Sequence, residues 1–310
     1  MAAAVMVTVP ATTANLGPGF DCLGAALARY NRFQFEPRAA GAPAVDVSAT
    51  GAGAHRVSTD SSNLAYRAFC ALYQHLDRTP PCIRIAITLD VPLSRGLGSS
   101  ATAIVAGLVG GNQLAGHPLD AAALAELAIA LEGHPDNVVP ALLGGCQLAA
   151  PQPDGSWQWC RLPWHSAIVP VVAVPNFELA TQQARAVLPE RVERAAAIAN
   201  LGALGLLLRG LALGYGPWVQ AGMVDALHQP YRQDLIRGYA PVRAAALAAG
   251  AHGIAISGAG PALVALSNAG MAEAVAAAIA QAWQREGVTA EAQALALDEG
   301  GAWNRAHAAA

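Results

Sequence analysis

Twelve residues, Val91-Pro92-Leu93-Ser94-Arg95-Gly96-Leu97-Gly98-Ser99-Ser100-Ala101-Thr102, constrain this chain more than any other stretch of it. They follow a β-branched run, Ile83 to Leu89, and open a helically spaced run, Ser100 to Leu114, so they join a strand to a helix. Gly96 and Gly98 let the backbone approach a ligand closely, and the unpaired amides and dipole of a helix N-terminus attract an anion. The pattern favours phosphate, with Ser99 and Ser100 placed to cap the helix or to offer a hydroxyl to a cation. A glycine turn with serine caps is the plainer account of the same residues. The segment also satisfies GxGxxG/A after a strand. The following ~20 residues, however, run into another helix rather than a strand ending in an acidic residue, which argues against a dinucleotide site.

The chain contains no lysine, so every basic side chain other than histidine is arginine. That closes a GxxxxGK[ST] loop, a lysine Schiff base, a protein-kinase strand lysine and a Ser-Lys dyad. A phosphate site here must use backbone amides, arginine or metal. A formal net charge of -3 gives no broad basic field, which argues against nucleic acid and against an anionic membrane as partner. The apolar fraction, 54%, is ample for a packed core. Met1 to Pro10 lacks the basic and apolar regions of a secretory signal. Ala195 to Gly214 is the most lipid-like stretch, yet Asn200, Arg209 and internal glycines predict a buried helix rather than a span. Five scattered cysteines without a CxxC pair predict reduced thiols and a cytoplasmic location.

Val5 to Val9, Arg32 to Pro37 and Ile83 to Leu89 read as strands, and Ser62 to Leu76 as a helix. After the glycine segment, Ser100 to Leu114 and Asp120 to Leu131 read as helices separated by a turn at Gly116 to Pro118, with a short helix from Pro135. The Pro- and Trp-rich stretch Ala150 to Pro163 is the boundary candidate, dividing the chain into 1–155 and 156–310. Beyond it the order is a strand (Ala167 to Val174), helices from about 180 to 250, strands around Ser257 to Pro261, a helix (Ala272 to Glu286) and a last strand. That order predicts an α+β fold with an antiparallel sheet.

Three segments together carry a resemblance. PLSRGLGSSAT resembles the nucleotide-binding motif of the GHMP kinase superfamily. Pro10-Ala11-Thr12-Thr13-Ala14-Asn15-Leu16-Gly17-Pro18-Gly19-Phe20-Asp21 resembles the family's first motif, and Ser257-Gly258-Ala259-Gly260-Pro261 its third. They stand in the family's order and span residues 8 to 261. A fourth segment, Glu132-Gly133-His134-Pro135-Asp136-Asn137, is similar to the homoserine kinase branch in particular. Read without the resemblance, it is a helix stop followed by proline at the first position of a new helix.

The resemblance implies a GHMP kinase fold: an N-terminal, nucleotide-binding domain of the ribosomal S5 domain 2 type and a ferredoxin-like C-terminal domain. It implies ATP and Mg2+ as cofactors and L-homoserine as substrate, phosphorylated on its side-chain hydroxyl in threonine synthesis. The partner expectations are that small molecule and a homodimer, with neither nucleic acid nor membrane. Carried over residue by residue, the nucleotide would be bound by Asn63, by Pro92 through Thr102, and by Gly258 and Gly260. The metal would be held by Ser100 and by Glu126, a carboxylate that needs a partner in an alanine- and leucine-rich helix. The substrate would be positioned by Asn15, Asp21, His134, Asn137, Thr181, Arg185 and Arg232, with Arg185 and Arg232 for its carboxylate and Asp21 for its ammonium.

Thr181 and Arg185 also stand four apart, which puts them on one helix face. With the resemblance set aside, surface solvation is the plainer reading of Arg185 and of Arg232. Arg237 stands where the family usually has proline and competes with Arg232 for the carboxylate role. His55, His75, His117, His165, His228, His252 and His307 have no metal-ligand spacing and are expected to be structural or exposed. Two alternatives stay open: another GHMP small-molecule kinase acting on mevalonate or a sugar, and a nucleotide-binding relative without activity.

Overall fold

The computed structural model describes residues 3–308. Residues 1, 2, 309 and 310, which end the two expected units, lie outside the described residues, as does the side chain of His307. The first strand, β1 (Val5–Asn15), turns at Leu16–Pro18 into β2 (Gly19–Pro37), and the two pair antiparallel. Phe33 and Phe35 of β2 are buried while Arg32, Gln34 and Glu36 are exposed, the period-2 alternation of a sheet covered on one face. β3 (Val45–Gly51), α1 (Leu64–His75) and β4 (Ile83–Leu89) form a βαβ unit in which β3 and β4 are parallel. α2 (Ser99–Leu114), α3 (Ala121–Glu132) and α4 (Pro135–Leu143) follow, then β5 (Cys146–Pro151) and β6 (Trp157–Leu162). The sheet runs β3-β4-β2-β5-β6, with β1 also on β2. Its main core combines Phe33, Phe35, Ile83 and Ile85 with Phe69 and Leu72 of α1 and Ile104 and Leu108 of α2.

The second half begins at β7 (Ile168–Pro175) and continues through α5 (Thr181–Ala186), α6 (Arg194–Leu213), α7 (Gly216–Gly222), α8 (Gln229–Arg232) and α9 (Tyr239–Ala248). β8 (Ala251–Ile256), β9 (Leu263–Asn268), α10 (Ala272–Arg285), β10 (Ala290–Ala294) and α11 (Gly301–Ala308) complete it. Its four strands are antiparallel in the order β10-β7-β9-β8, the ferredoxin-like arrangement. β7 is apolar on both sides for a reason. Val171 and Ala173 face Val242 of α9 and Val275 and Trp283 of α10, whereas Val172 and Val174 join a separate cluster against the first half. That cluster also takes Leu23, Ala25 and Leu27 of β2, Val264 and Leu266 of β9, and Leu207 and Leu211 of α6.

Three expectations need correction. The stretch taken as a boundary contains β6, which pairs with β5 and extends the first sheet, so the first unit continues past residue 155 to Leu162. The first unit also regains the chain at its far end, because Ala302 and Ala306 of α11 are buried in the main core of the first half. Finally, α6 is not a buried helix: Asn200, Ala203, Leu207 and Leu211 are covered, while Ile198, Leu201 and Leu213 face outward. It is long and apolar enough to span a membrane, but one face packs on the protein.

Asp298 secures α11. Its carboxylate accepts bonds from the Gly300 and Gly301 amides at 3.2 and 2.6 Å, from the Tyr30 hydroxyl at 2.8 Å and from Arg305. Burial opposes ionisation of this carboxyl, but the bonds from Arg305, Gly301 and Tyr30 outweigh it and hold the pKa below the ordinary value. The folded pKa being depressed, the stabilisation is complete above the ordinary aspartate range and is lost as pH falls through the folded value. Asp298→Ala should cost about 2 kcal/mol at neutral pH, the exposed side of Arg305 being screened. Urea midpoints of variant and wild type should converge in acid; a gap independent of pH would contradict this account.

Candidate active site

The first and third glycine turns and the phosphate-type loop are stitched together by the backbone. The Thr12 amide donates to Leu97 O at 3.2 Å, the Ala262 amide to Arg95 O at 2.9 Å and the Gly258 amide to Ala14 O at 3.2 Å. The Ser257 hydroxyl donates to Gly96 O at 2.6 Å, with the Thr13 hydroxyl 2.9 Å away. Gly96 has φ +85°, and a Cβ there would stand 2.4 Å from Ser257 O, so the turn requires glycine. Gly98, at φ +65°, caps α2 without a side chain, and a Cβ on it would strike the Thr12 hydroxyl at 1.9 Å. Among the described residues no side chain caps the first turn of α2, and Gly98, Ser99 and Ser100 line a cavity of about 430 Å3.

The cavity has an apolar part and a charged part. Phe33, Val57, Leu64, Ile87, Leu89 and Leu93 supply the first. Asn31, on β2, braces this region: its carbonyl accepts the Asp90 and Val91 amides at 2.9 Å each, and its amide donates to the Thr102 hydroxyl at 2.9 Å. The charged part holds Asp21, Glu132, His134, Asp136, Arg185 and Arg232. Asp21 and Arg185, 164 residues apart, form a bidentate pair with both contacts at 2.9 Å. Arg232 is 2% exposed, donates from Nε to Ala184 O at 2.9 Å, and lies 5.0 Å from the centre of the Phe20 ring. Its desolvation lowers its pKa, and the Arg185 charge lowers it further.

His134 Nδ1 stands 2.6 Å from Asp136 Oδ1. Burial works against a charged ring, but the Asp136 bond and the charges of Asp136, Glu132 and Asp21 outweigh it and raise the pKa. Asn137 accepts the Thr12 hydroxyl at 2.7 Å, and Asn15 donates to Gly258 O at 2.8 Å while accepting the Asp21 amide at 3.0 Å.

Of the residues singled out from sequence, Asn15, Asp21, His134, Asn137, Thr181, Arg185 and Arg232 all line this one cavity. So do Asn63, Leu93 through Gly96, Gly98 through Ser100, Thr102, Gly258 and Gly260. Pro92, Leu97 and Ala101 do not line it; Leu97 and Ala101 are fully buried in the core. Asn63 has its side-chain amide engaged locally, accepting the Ala65 and Tyr66 amides and donating to Ser58 O at 2.8 Å. Arg237 is exposed and lies beside Gly287, away from the cavity.

Glu126 is a correction. Its carboxylate accepts the Trp157 amide of β6 at 2.9 Å and does not line the cavity. The acid beside Ser100 is Glu132, whose Oε1 accepts the Ser100 hydroxyl at 2.7 Å. Burial raises the Glu132 pKa, with the Ser100 bond and His134 opposing it. Sequence reasoning had Glu132 in the EGHPDN segment without giving it a role. Asn31, Arg56 and Asp136 also line the cavity without a role assigned from sequence, and its apolar wall was not foreseen, since strand residues such as Phe33 and Ile87 carry the same pattern whether they face a core or a ligand.

The family GHMP kinases N terminal domain matches residues 63–145, and GHMP kinases C terminal matches residues 195–285. The chain is 60% identical over 298 residues to a homoserine kinase of Microchaete diplosiphon, covering 96% of each. It is 59% identical over 299 residues to one of Nostoc punctiforme, covering 96% of this chain and 97% of the relative. Among solved structures, homoserine kinase from Cytophaga hutchinsonii superposes with a TM-score of 0.88 at 29% identity over 97% of both chains. The L. major mevalonate kinase in complex with R-mevalonate, at 16% identity and a TM-score of 0.70 over 94% of this chain and 96% of that one, shares the fold.

Proposed function

The chain belongs to the GHMP kinase family, in its homoserine kinase branch, and on that premise we infer that it transfers the γ-phosphoryl group of ATP to the side-chain hydroxyl of L-homoserine, yielding O-phospho-L-homoserine and ADP. The observation that carries the substrate class is the Asp21–Arg185 pair with Arg232 beside it, facing the cavity that the phosphate-type loop floors. A zwitterion exchanges with such a pair without leaving a charge uncompensated: its ammonium takes the place of Arg185 at Asp21, and its carboxylate meets the freed Arg185 and Arg232. Mevalonate and hexoses have no ammonium and would break the pair without replacing it.

The apolar wall suits a nucleobase, and the N-terminus of α2 suits the triphosphate. Ser100 and Glu132 offer one hydroxyl and one carboxylate 2.7 Å apart, which fits Mg2+, a cation that takes few protein oxygens alongside phosphate and water. Such an ion neutralises charge on the transferring phosphoryl group. Asn137 and His134 are the polar groups we assign to orienting the hydroxyl, since phosphoryl transfer depends on placement more than on proton removal. Five free cysteines fit the reducing cytoplasm in which we place the protein.

ADP release measured over homoserine, mevalonate, galactose and serine tests the substrate. Homoserine should exceed mevalonate and galactose in kcat/KM by roughly 10³-fold, because those compounds leave polar groups of the site unpaired. Turnover of mevalonate or galactose with none of homoserine would refute it.

A further inference from the structure

His228, expected to be structural or exposed, is a buried group. Its side chain is fully buried, and both ring nitrogens are engaged. Nε2 lies 2.9 Å from Gly17 O, a group that can only accept, so Nε2 carries the proton. Nδ1 is then the acceptor, 3.3 Å from Nη1 of Arg232, which can only donate. Arg232 Nε and Nη1 are thus directed to Ala184 O, Gly258 O and His228. That leaves Nη2, which has no hydrogen-bond partner among the described residues, as the donor edge for the cavity Arg232 lines.

The imidazole is fixed in turn. Asp225 accepts the amides of Leu227, His228 and Gln229 at 3.0, 3.0 and 2.7 Å, which sets the turn into α8. Phe20 stacks on the ring with centroids 5.0 Å apart and also lies under Arg232. Gly17 lies in the Leu16–Pro18 turn and Phe20 stands next to Asp21 at the very start of β2, one bend of chain that forms the Asp21 loop. One buried ring therefore touches both the loop that presents the negative group of the site and the arginine that presents its positive group.

We propose that His228 is a positioning residue which, by donating to Gly17 O and accepting from Arg232, holds Arg232 at a fixed offset from the Asp21 loop and so sets the geometry in which the substrate carboxylate is recognised. It touches neither substrate nor nucleotide; it acts through Arg232. The proposal rests on Arg232 being the carboxylate ligand.

The test is a double-mutant cycle in the full chain. His228→Gln keeps a donor near the Nε2 position and removes the acceptor for Arg232. It should raise KM for homoserine about 10- to 100-fold, the scale of a lost hydrogen bond to a charged group, with kcat and KM for ATP within about 3-fold. In an Arg232→Ala background, His228→Gln should add less than about 2-fold, because the interaction it served is already gone. His228→Asn, whose amide oxygen can occupy the Nδ1 position, should recover part of the KM; it also serves as the cycle's second variant if His228→Gln does not fold. An unchanged homoserine KM in a folded His228→Gln protein would overturn the proposal, as would losses that multiply in the double variant or a KM for ATP that rises in parallel. If Arg232→Ala itself leaves the homoserine KM unchanged, the carboxylate reading is what fails. An Arg232 effect without a His228 effect removes the positioning role alone.

Discussion

Glu132→Gln is expected to lower kcat by about 10²- to 10³-fold, the scale associated with removing a group that supports transition-state charge, and to shift the magnesium titration to higher concentrations. The substitution keeps the shape of the side chain and an oxygen to accept the Ser100 hydroxyl, but it removes the negative charge from the base of α2. Glu126→Gln, whose oxygen can still accept the Trp157 amide, should leave both quantities near wild type. The pH dependence has a definite sign. Burial raises the Glu132 pKa, so the carboxylate proposed to hold the ion is lost as pH falls through a value above that of an ordinary glutamate. The apparent magnesium affinity of the wild type should weaken over that acid limb, and the limb should be absent in Glu132→Gln. Wild-type metal dependence in Glu132→Gln together with a collapse in Glu126→Gln would restore Glu126 to the role the sequence suggested.

Asp21→Asn should raise KM for homoserine by about 30-fold or more, since separating a hydrogen-bonded charge pair leaves its partner uncompensated. Asp21 is the carboxylate on which Arg185 rests, with both oxygens engaged. Asparagine accepts one such bond and neutralises neither Arg185 nor an incoming ammonium. The variant should therefore also lose its preference for homoserine over 4-hydroxybutyrate, which lacks the amine. A general base would leave a different signature, a fall in kcat with KM little changed, because only the transition state would lose an interaction. Steady-state constants for both substrates on both proteins separate the two roles. An intact preference alongside a collapsed kcat would end the anchoring interpretation.

Much of this site was legible because its chemistry lies in local patterns. A strand, two glycines and a serine-rich helix start are read from neighbouring residues, and Gly96 and Gly98 occupy the positive-φ positions that the turn demands. The order of elements after residue 163 was likewise enough for an antiparallel sheet. What could not be read is what depends on pairing over distance. Glu126 and Glu132 stand six positions apart, roughly 240° around the helix, so they point in different directions. Deciding which meets Ser100 requires knowing that β6 returns to offer the Trp157 amide to the other. The Asp21–Arg185 contact spans 164 residues and leaves no local trace. α6 was misjudged for a related reason: an apolar, alanine-rich composition does not say how many of its faces find a neighbour. His228 was passed over because a single histidine carries no periodicity, and its importance lies in Gly17 and Arg232 on either side of it.

The apolar cluster that joins β2 to β7 and β9 has a bearing on how this enzyme is handled. A chain of two sheets invites severing at the join, to express the nucleotide-binding half or the ferredoxin-like half as a separate piece. Either piece would carry a bare oily wall into water, Leu23 and Leu27 on one, Ile168, Val172, Val264 and Leu266 on the other, all fully or nearly fully covered in the intact chain. The first piece would also lack α11, whose Ala302 and Ala306 close its own interior from the opposite end of the sequence. Scission anywhere between β6 and β7 thus yields two sticky fragments, and chimaeras with related kinases should exchange whole chains or surface loops instead of halves.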